Sequence, residues 1–232
     1  MRQFGYSFAA VLLAAIGVVT VAPLVAAAAP QPTAVYDAIG PTLPGNVVSL
    51  AFESTQTSEF GDLVQLAPGP RQLDSVDVVL SSWGCQDGNY QTSTCVTTPG
   101  ATFSHPITLN LYESTPGVGD GVGNLVLSQT KTFDIPYRPT GNLFHCPNVL
   151  GETTGKWWNG TACMSGLATI ITFDFPALPT VPTNLIWSVA YNTTSQGYNP
   201  IGAASCLSED GACGYDALNV GAETLTPDAT AG

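Results

Sequence analysis

Two histidines, His105 and His145, are all the imidazole this chain carries. A serine nucleophile needs a base beside it, so any Ser–His–Asp site must use one of the two. No G-x-S-x-G elbow is present. His105 precedes Pro106 at the start of an expected strand and His145 precedes Cys146, so local structure constrains both. They read as structural or surface residues, and no catalytic residue is assigned. Paired carboxylates are the next chemistry to consider, because a glycosidase sets one carboxylic acid and one carboxylate at a fixed separation. Glu113, Asp134 and Asp174 are the candidates, were one sheet face to curve into a cleft. No E-x-D-x-x-E pattern accompanies them, and isolated outward acids commonly solubilise a sheet or guard its edge. Metal chemistry has little to stand on. "GVGDGVGNL", residues 117 to 125, resembles one turn of a calcium roll, but such rolls need stacked copies, so a Gly-rich hairpin is expected. "CLSEDGACGYD" offers Glu209, Asp210 and Asp216 as hard oxygen ligands without the EF-hand spacing. A structural calcium is allowed for, with no ligand set assigned.

Aromatic side chains are the stronger signal. "CPNVLGETTGKWWNGTAC", residues 146 to 163, brackets adjacent tryptophans between two cysteines in a polar, Gly-rich segment. Trp157, Trp158, Tyr90 and Tyr198 all fall in such segments, where flat rings can stack on sugar faces. Against this stands a packing role, with one ring on the Cys146–Cys163 bridge and the other over a sheet edge. Trp187 shares the apolar parity of its strand and Trp83 adjoins a cysteine, so neither joins the candidate binding set. Asn159 and Asn192 head N-x-T triplets and read as turn residues.

The elements that must position these groups are strands. Apolar residues alternate in "LDSVDVVL" (Leu73, Val76, Val78, Leu80), with a slip near Ser75 that suggests a bulge. They alternate again in "ITLNLYE" (Ile107, Leu109, Leu111), "IITFDF" (Ile171, Phe173, Phe175) and "LIWSVAY" (Leu185, Trp187, Val189, Tyr191). Weaker strands are expected at 47–53, 60–66, 125–134 and 216–220, separated by Pro- and Gly-rich turns. No sustained helical period follows the first 30 residues. The expectation is an all-β, jelly-roll-like antiparallel β-sandwich with local disulfides.

Those disulfides are expected to be Cys85–Cys95, Cys146–Cys163 and Cys206–Cys213, each closing a turn-rich loop, among fifteen pairings that six cysteines allow. Residues 1–28 read as a secretory signal peptide, with Arg2, an apolar run and a small-residue cleavage region. Residues 29–221 form one expected sandwich domain and 222–232 a flexible C-terminal tail. Charged residues make up 9% of the chain, against about 25% in an average protein. Beyond the leader only Arg71, Lys131, Arg138 and Lys156 are basic, against seventeen acids. Such a surface repels phosphate backbones, which excludes nucleic acid, and nothing after the leader predicts a membrane segment.

The motifs "PTLPGNVVSLAFESTQTSEFGD", "SSWGC", "GATFSHPITLNLY" and "TFDIPYRPT", with "WWNGTACMSGLATIITFDF" and "VAYNTTSQGYNPIG", resemble a family of secreted, mostly actinobacterial β-sandwich proteins of uncharacterised function. The resemblance spans about residues 35 to 221. It implies a secreted β-sandwich and carries over no catalytic or binding residues and no cofactor. Relatives of that kind often continue past "YDALNVG", so a missing closing strand or an exposed edge is expected here. The resulting expectation is a secreted, extracellular, non-catalytic protein that binds a polysaccharide or cell-wall component through loop aromatics. The alternatives are a structural, self-associating protein, its oligomeric state open, and a polysaccharide hydrolase using Glu113, Asp134 or Asp174.

Overall fold

A computed structural model gives the fold. It describes residues 33–39, 43, 47–52, 57–88, 90, 93–115, 121–147, 155–191 and 218–222. The leader, Tyr198, Cys206, Glu209, Asp210, Cys213, Asp216 and the tail from residue 223 lie outside them. Ten strands run in chain order: β1 Ser49–Leu50, β2 Phe60–Gln65, β3 Ser75–Ser82, β4 Thr102–Ser114, β5 Val122–Pro136, β6 Trp157–Trp158, β7 Cys163–Met164, β8 Leu167–Asp174, β9 Asn184–Tyr191 and β10 Leu218–Gly221.

Two four-stranded antiparallel sheets have the orders β1-β10-β3-β8 and β2-β9-β4-β5, and β6-β7 is a separate hairpin. Setting that hairpin aside and counting the other strands one to eight, the orders become 1-8-3-6 and 2-7-4-5. First pairs with eighth, second with seventh, third with sixth and fourth with fifth, which is the jelly roll. Alternation is what makes the two sheets face each other. Val78, Leu80, Ile171, Phe173, Leu218 and Val220 point in from one sheet, and Val64, Ile107, Leu109, Leu111, Leu185 and Val189 from the other, all buried in one core.

Three details depart from the sequence reading. Register between β3 and β8 is continuous from Ser75 to Ser82, so no bulge sits at Ser75. The apparent slip marks the strand's start, and the irregular register lies instead in β4–β5 around Tyr112. β10 is interior, paired with both β1 and β3, and not an exposed edge. Ala222 continues the pairing, donating its N–H to Val48 O. Finally, β4 starts five residues earlier than Ile107, carrying Phe103 and His105 inward across Pro106. Proline is tolerated there because, among the described residues, the stretch before Ile107 pairs with β5 alone.

One lateral opening of the sandwich is closed by side chains. Lys131 and Gln129 of edge strand β5 reach across to edge strand β8. Lys131 Nζ donates to Thr172 O (2.9 Å) and Asp174 Oδ2 (3.3 Å), and Gln129 Nε2 donates to Asp174 O (3.3 Å). Backbone acceptors that could recruit another strand are thereby occupied.

Candidate functional site

Outside the roll, the segments 83–100, 137–147 and 155–166 build a second, smaller structure on residues the sequence reading left as loops. Its centre is Arg138, whose side chain is fully buried. The Arg138 backbone N–H donates to Gly84 O, its guanidinium donates to Gly155 O, and the cation lies 5.2 Å from the centre of the Tyr90 ring. Gly155 adopts φ 66°, and a Cβ there would collide with the Tyr90 carbonyl oxygen, so only glycine lets these two chain segments touch. Two disulfides brace the assembly, Cys85–Cys95 and Cys146–Cys163, as expected from their spacing. Cys206 and Cys213 lie outside the described residues.

The adjacent tryptophans turn out not to be loop residues at all. They form β6, paired with β7 through Trp157↔Met164 and Trp158↔Cys163. Neighbours on a strand face opposite ways, so one ring goes in and the other out. Trp157 is 6% exposed, and its Nε1–H donates to Gly166 O (3.1 Å). That ring is packing and offers no face to a ligand. Trp158 lies at the surface, half-buried. The hairpin turn is set by Asn159, whose Oδ1 accepts from the backbone N–H groups of Thr161 and Ala162, a turn role for this N-x-T triplet.

Trp158 has a partner the sequence did not suggest. His145 stacks face to face on it, with ring centres 5.0 Å apart and planes inclined by 11°. Phe144 meets His145 edge-on at 4.8 Å and is itself 88% exposed. Leu143, next to it, is 52% exposed. The segment is held by Asn142, whose Oδ1 accepts from the N–H groups of Phe144 and His145. The Asn142 backbone joins Lys156 O to Cys146 N–H through bonds of 2.9 and 2.7 Å. A row of Phe144, His145 and Trp158 therefore stands on a base cross-linked at Cys146–Cys163. Lys156, just before β6, is part-exposed like Trp158, with buried Trp157 between them.

The other expected site residues disperse. Tyr90 is half-buried between the Trp83 indole (5.0 Å, edge-on) and the Arg138 guanidinium. Tyr198 lies outside the described residues. Each candidate acid has its own neighbour: Asn124 for Glu113 (2.9 Å), Ser104 for Asp134 (2.7 Å) and Lys131 for Asp174 (3.3 Å). Asp134 pairs with Ser104 at one end of β4, and Glu113 stands nine residues along it. At about 3.3 Å per residue that is roughly 30 Å, far beyond the spacing of a glycosidase pair. Among the described residues no group of three metal-ligating side chains occurs, and those considered for calcium lie outside them.

Glu59 escaped the sequence reading, and His105, read there as a structural or surface residue, proves to be a core one. Glu59 anchors the start of β2 by accepting hydrogen bonds at Oε1 from Asn110 Nδ2 (2.9 Å), Tyr112 OH (2.8 Å) and Ser188 Oγ. Burial works to raise its pKa, but the three donors prevail and hold the carboxyl below 4.5, as an ionised strut and not as a proton donor. His105 is 2% exposed among the Phe103 and Tyr191 rings, and its Nε2 has no hydrogen-bond partner. Burial pushes its pKa down to about 4, so the core holds it neutral.

Comparison with protein-family models, with curated proteins and with solved structures finds no match to this chain, so its function is argued from the site alone.

Proposed function

We propose that the protein is a secreted, non-catalytic jelly roll that binds a glycan or cell-surface component through Phe144, His145 and Trp158. The observation that carries this reading is the exposure of Phe144, 88%, in line with a rigid imidazole–indole stack. A phenyl ring left in water forgoes about 2 kcal/mol of burial, and the base beneath it, with two disulfides and a buried arginine, is not a segment that simply failed to pack. Recognition residues on loops held by a rigid scaffold are a recurrent arrangement. The exposed Phe144 ring suits the C–H face of a sugar, whose hydroxyls remain hydrated at the edges. The two disulfides fit an oxidising compartment, and the leader-like first 28 residues supply the route to it.

Retention of the oxidised protein on insoluble polysaccharides and isolated cell walls tests the reading. Wild type should be retained, Phe144→Ala and Trp158→Ala should wash through, and Trp157→Phe should bind while melting earlier. Retention unchanged in the first two variants would remove the site from this surface. The same apolar strip of Leu143 and Phe144 also favours a second reading, self-association. Sedimentation would then show concentration-dependent dimers that Phe144→Ala abolishes.

A further inference from the structure

The charge around the aromatic row narrows the ligand's chemistry. Of the described basic side chains, Arg71 donates to Ala67 O and Thr183, Lys131 to Asp174 and Thr172 O, and Arg138 to Gly155 O. Lys156 alone among them makes no side-chain hydrogen bond or ion pair, although its backbone is fixed by Asn142. It directly precedes β6, and it and Trp158 are both part-exposed on either side of buried Trp157, an alternation that puts them on one side with their Cα atoms about 7 Å apart. No described carboxylate bonds to Lys156 or to His145, in a chain whose net charge is −12. A free ammonium therefore sits beside an exposed stacking surface, on a part of an acidic protein whose described charged side chains are Arg138, Lys156 and a single acid, Asp87, which accepts from the Gly88 N–H.

Resting on the binding reading above, we infer that the ligand is a carboxylate-bearing saccharide of the uronate class. In such a sugar the ring face presents C–H groups for stacking, while the carboxylate projects in the ring plane beyond its edge. A pyranose ring over Trp158 places that carboxylate within the reach of a lysine side chain one strand repeat away. The ammonium donates to the carboxylate oxygens, and the aromatic row supplies the non-polar contact. A neutral sugar would use the rings and leave Lys156 idle. A long polyanion would be repelled elsewhere on this surface, so contact would be confined to this patch.

The test compares polygalacturonate with its fully methyl-esterified form, which has the same rings without the charge. Equilibrium binding is measured with the intact oxidised protein at fixed ionic strength. Wild type should prefer polygalacturonate by roughly three- to tenfold, the scale of one partly exposed charge-assisted contact. Lys156→Gln should erase the preference while leaving affinity for the ester within about twofold, and Phe144→Ala should weaken both polymers alike. Equal binding of the two polymers by wild type, or a preference that survives Lys156→Gln, overturns the inference. Retention on neutral polysaccharides without binding to either galacturonan overturns it and leaves the binding reading standing. Failure to bind any polysaccharide overturns both.

Discussion

Replacing His105 by phenylalanine should change how the protein's stability depends on pH. The imidazole sits in the core at 2% exposure with its Nε2 unsatisfied, and its pKa is about 4 in the fold against 6.5 for an ordinary histidine. The unfolded chain therefore takes up a proton as pH falls through 6.5, while the folded chain resists until about 4. Stability from this group is fully present above pH 6.5 and drains away between 6.5 and 4. The interval is about 2.5 pH units at about 1.4 kcal/mol each, so the loss is on the order of 3 kcal/mol. Carboxylates such as Glu59 also cost stability in acid, but they are common to wild type and variant and cancel in the difference. Urea unfolding of both proteins at pH 7.5, 5.5 and 4.0 isolates the imidazole. At pH 7.5 His105→Phe should match or exceed wild type, since it removes an unpaired buried nitrogen worth about 1–3 kcal/mol. Its advantage should then widen by about 3 kcal/mol toward pH 4. Parallel curves would show that His105 protonates freely in the fold and that its burial has been misjudged.

Two other substitutions probe the scaffold. Gly155→Ala should lower stability by at least about 2 kcal/mol, from the positive φ together with the collision at Tyr90 O, and should blunt near-ultraviolet circular dichroism from the neighbouring tryptophans. Lys131→Val, which uncovers Thr172 O and places an apolar residue on edge strand β5, should promote sheet-edge association visible as dimers in sedimentation. Monomers at every concentration would mean that the lysine does not guard that edge.

The longer strands of the roll were legible because they run far enough to show a period of two and have one wet face, whereas two-residue β1 fell inside a segment with only a weak strand signal. Ile107, Leu109 and Leu111 are buried as their parity required, and Asp174 points outward between Phe173 and Phe175. The site was far less legible. β6 and β7 are two residues each, too short to have a period, so Trp157 and Trp158 looked equivalent although pairing sends them to opposite sides. Phe144 and His145 carried no signal, because their value comes from contact with Trp158 across a disulfide and from an Asn142 turn. His105 was misplaced at a strand's start since Pro106 broke the pattern. Its parity with Phe103 and Ile107 held the answer, once a proline beside an unpaired strand margin is admitted. Gly155 and Arg138 meet through tertiary contact alone, which no local pattern encodes.

Strand order has a consequence for how the molecule is made. Ser49 of β1 faces Gly221 of β10, and β10 also supplies the neighbour that β1 and β3 share. During synthesis, which proceeds from the N-terminus, β1 has no sheet to join until nearly the whole described chain has emerged. The first hairpin that can form alone is β4–β5, and even it has one uncovered face. A nascent chain of this topology stays open and threadable, and closes late through contacts of long sequence separation. That ordering would suit the export proposed above, in which a chain crosses a membrane unfolded before its cysteines pair. Once closed, the same arrangement holds the last described strand on both flanks, between β1 and β3.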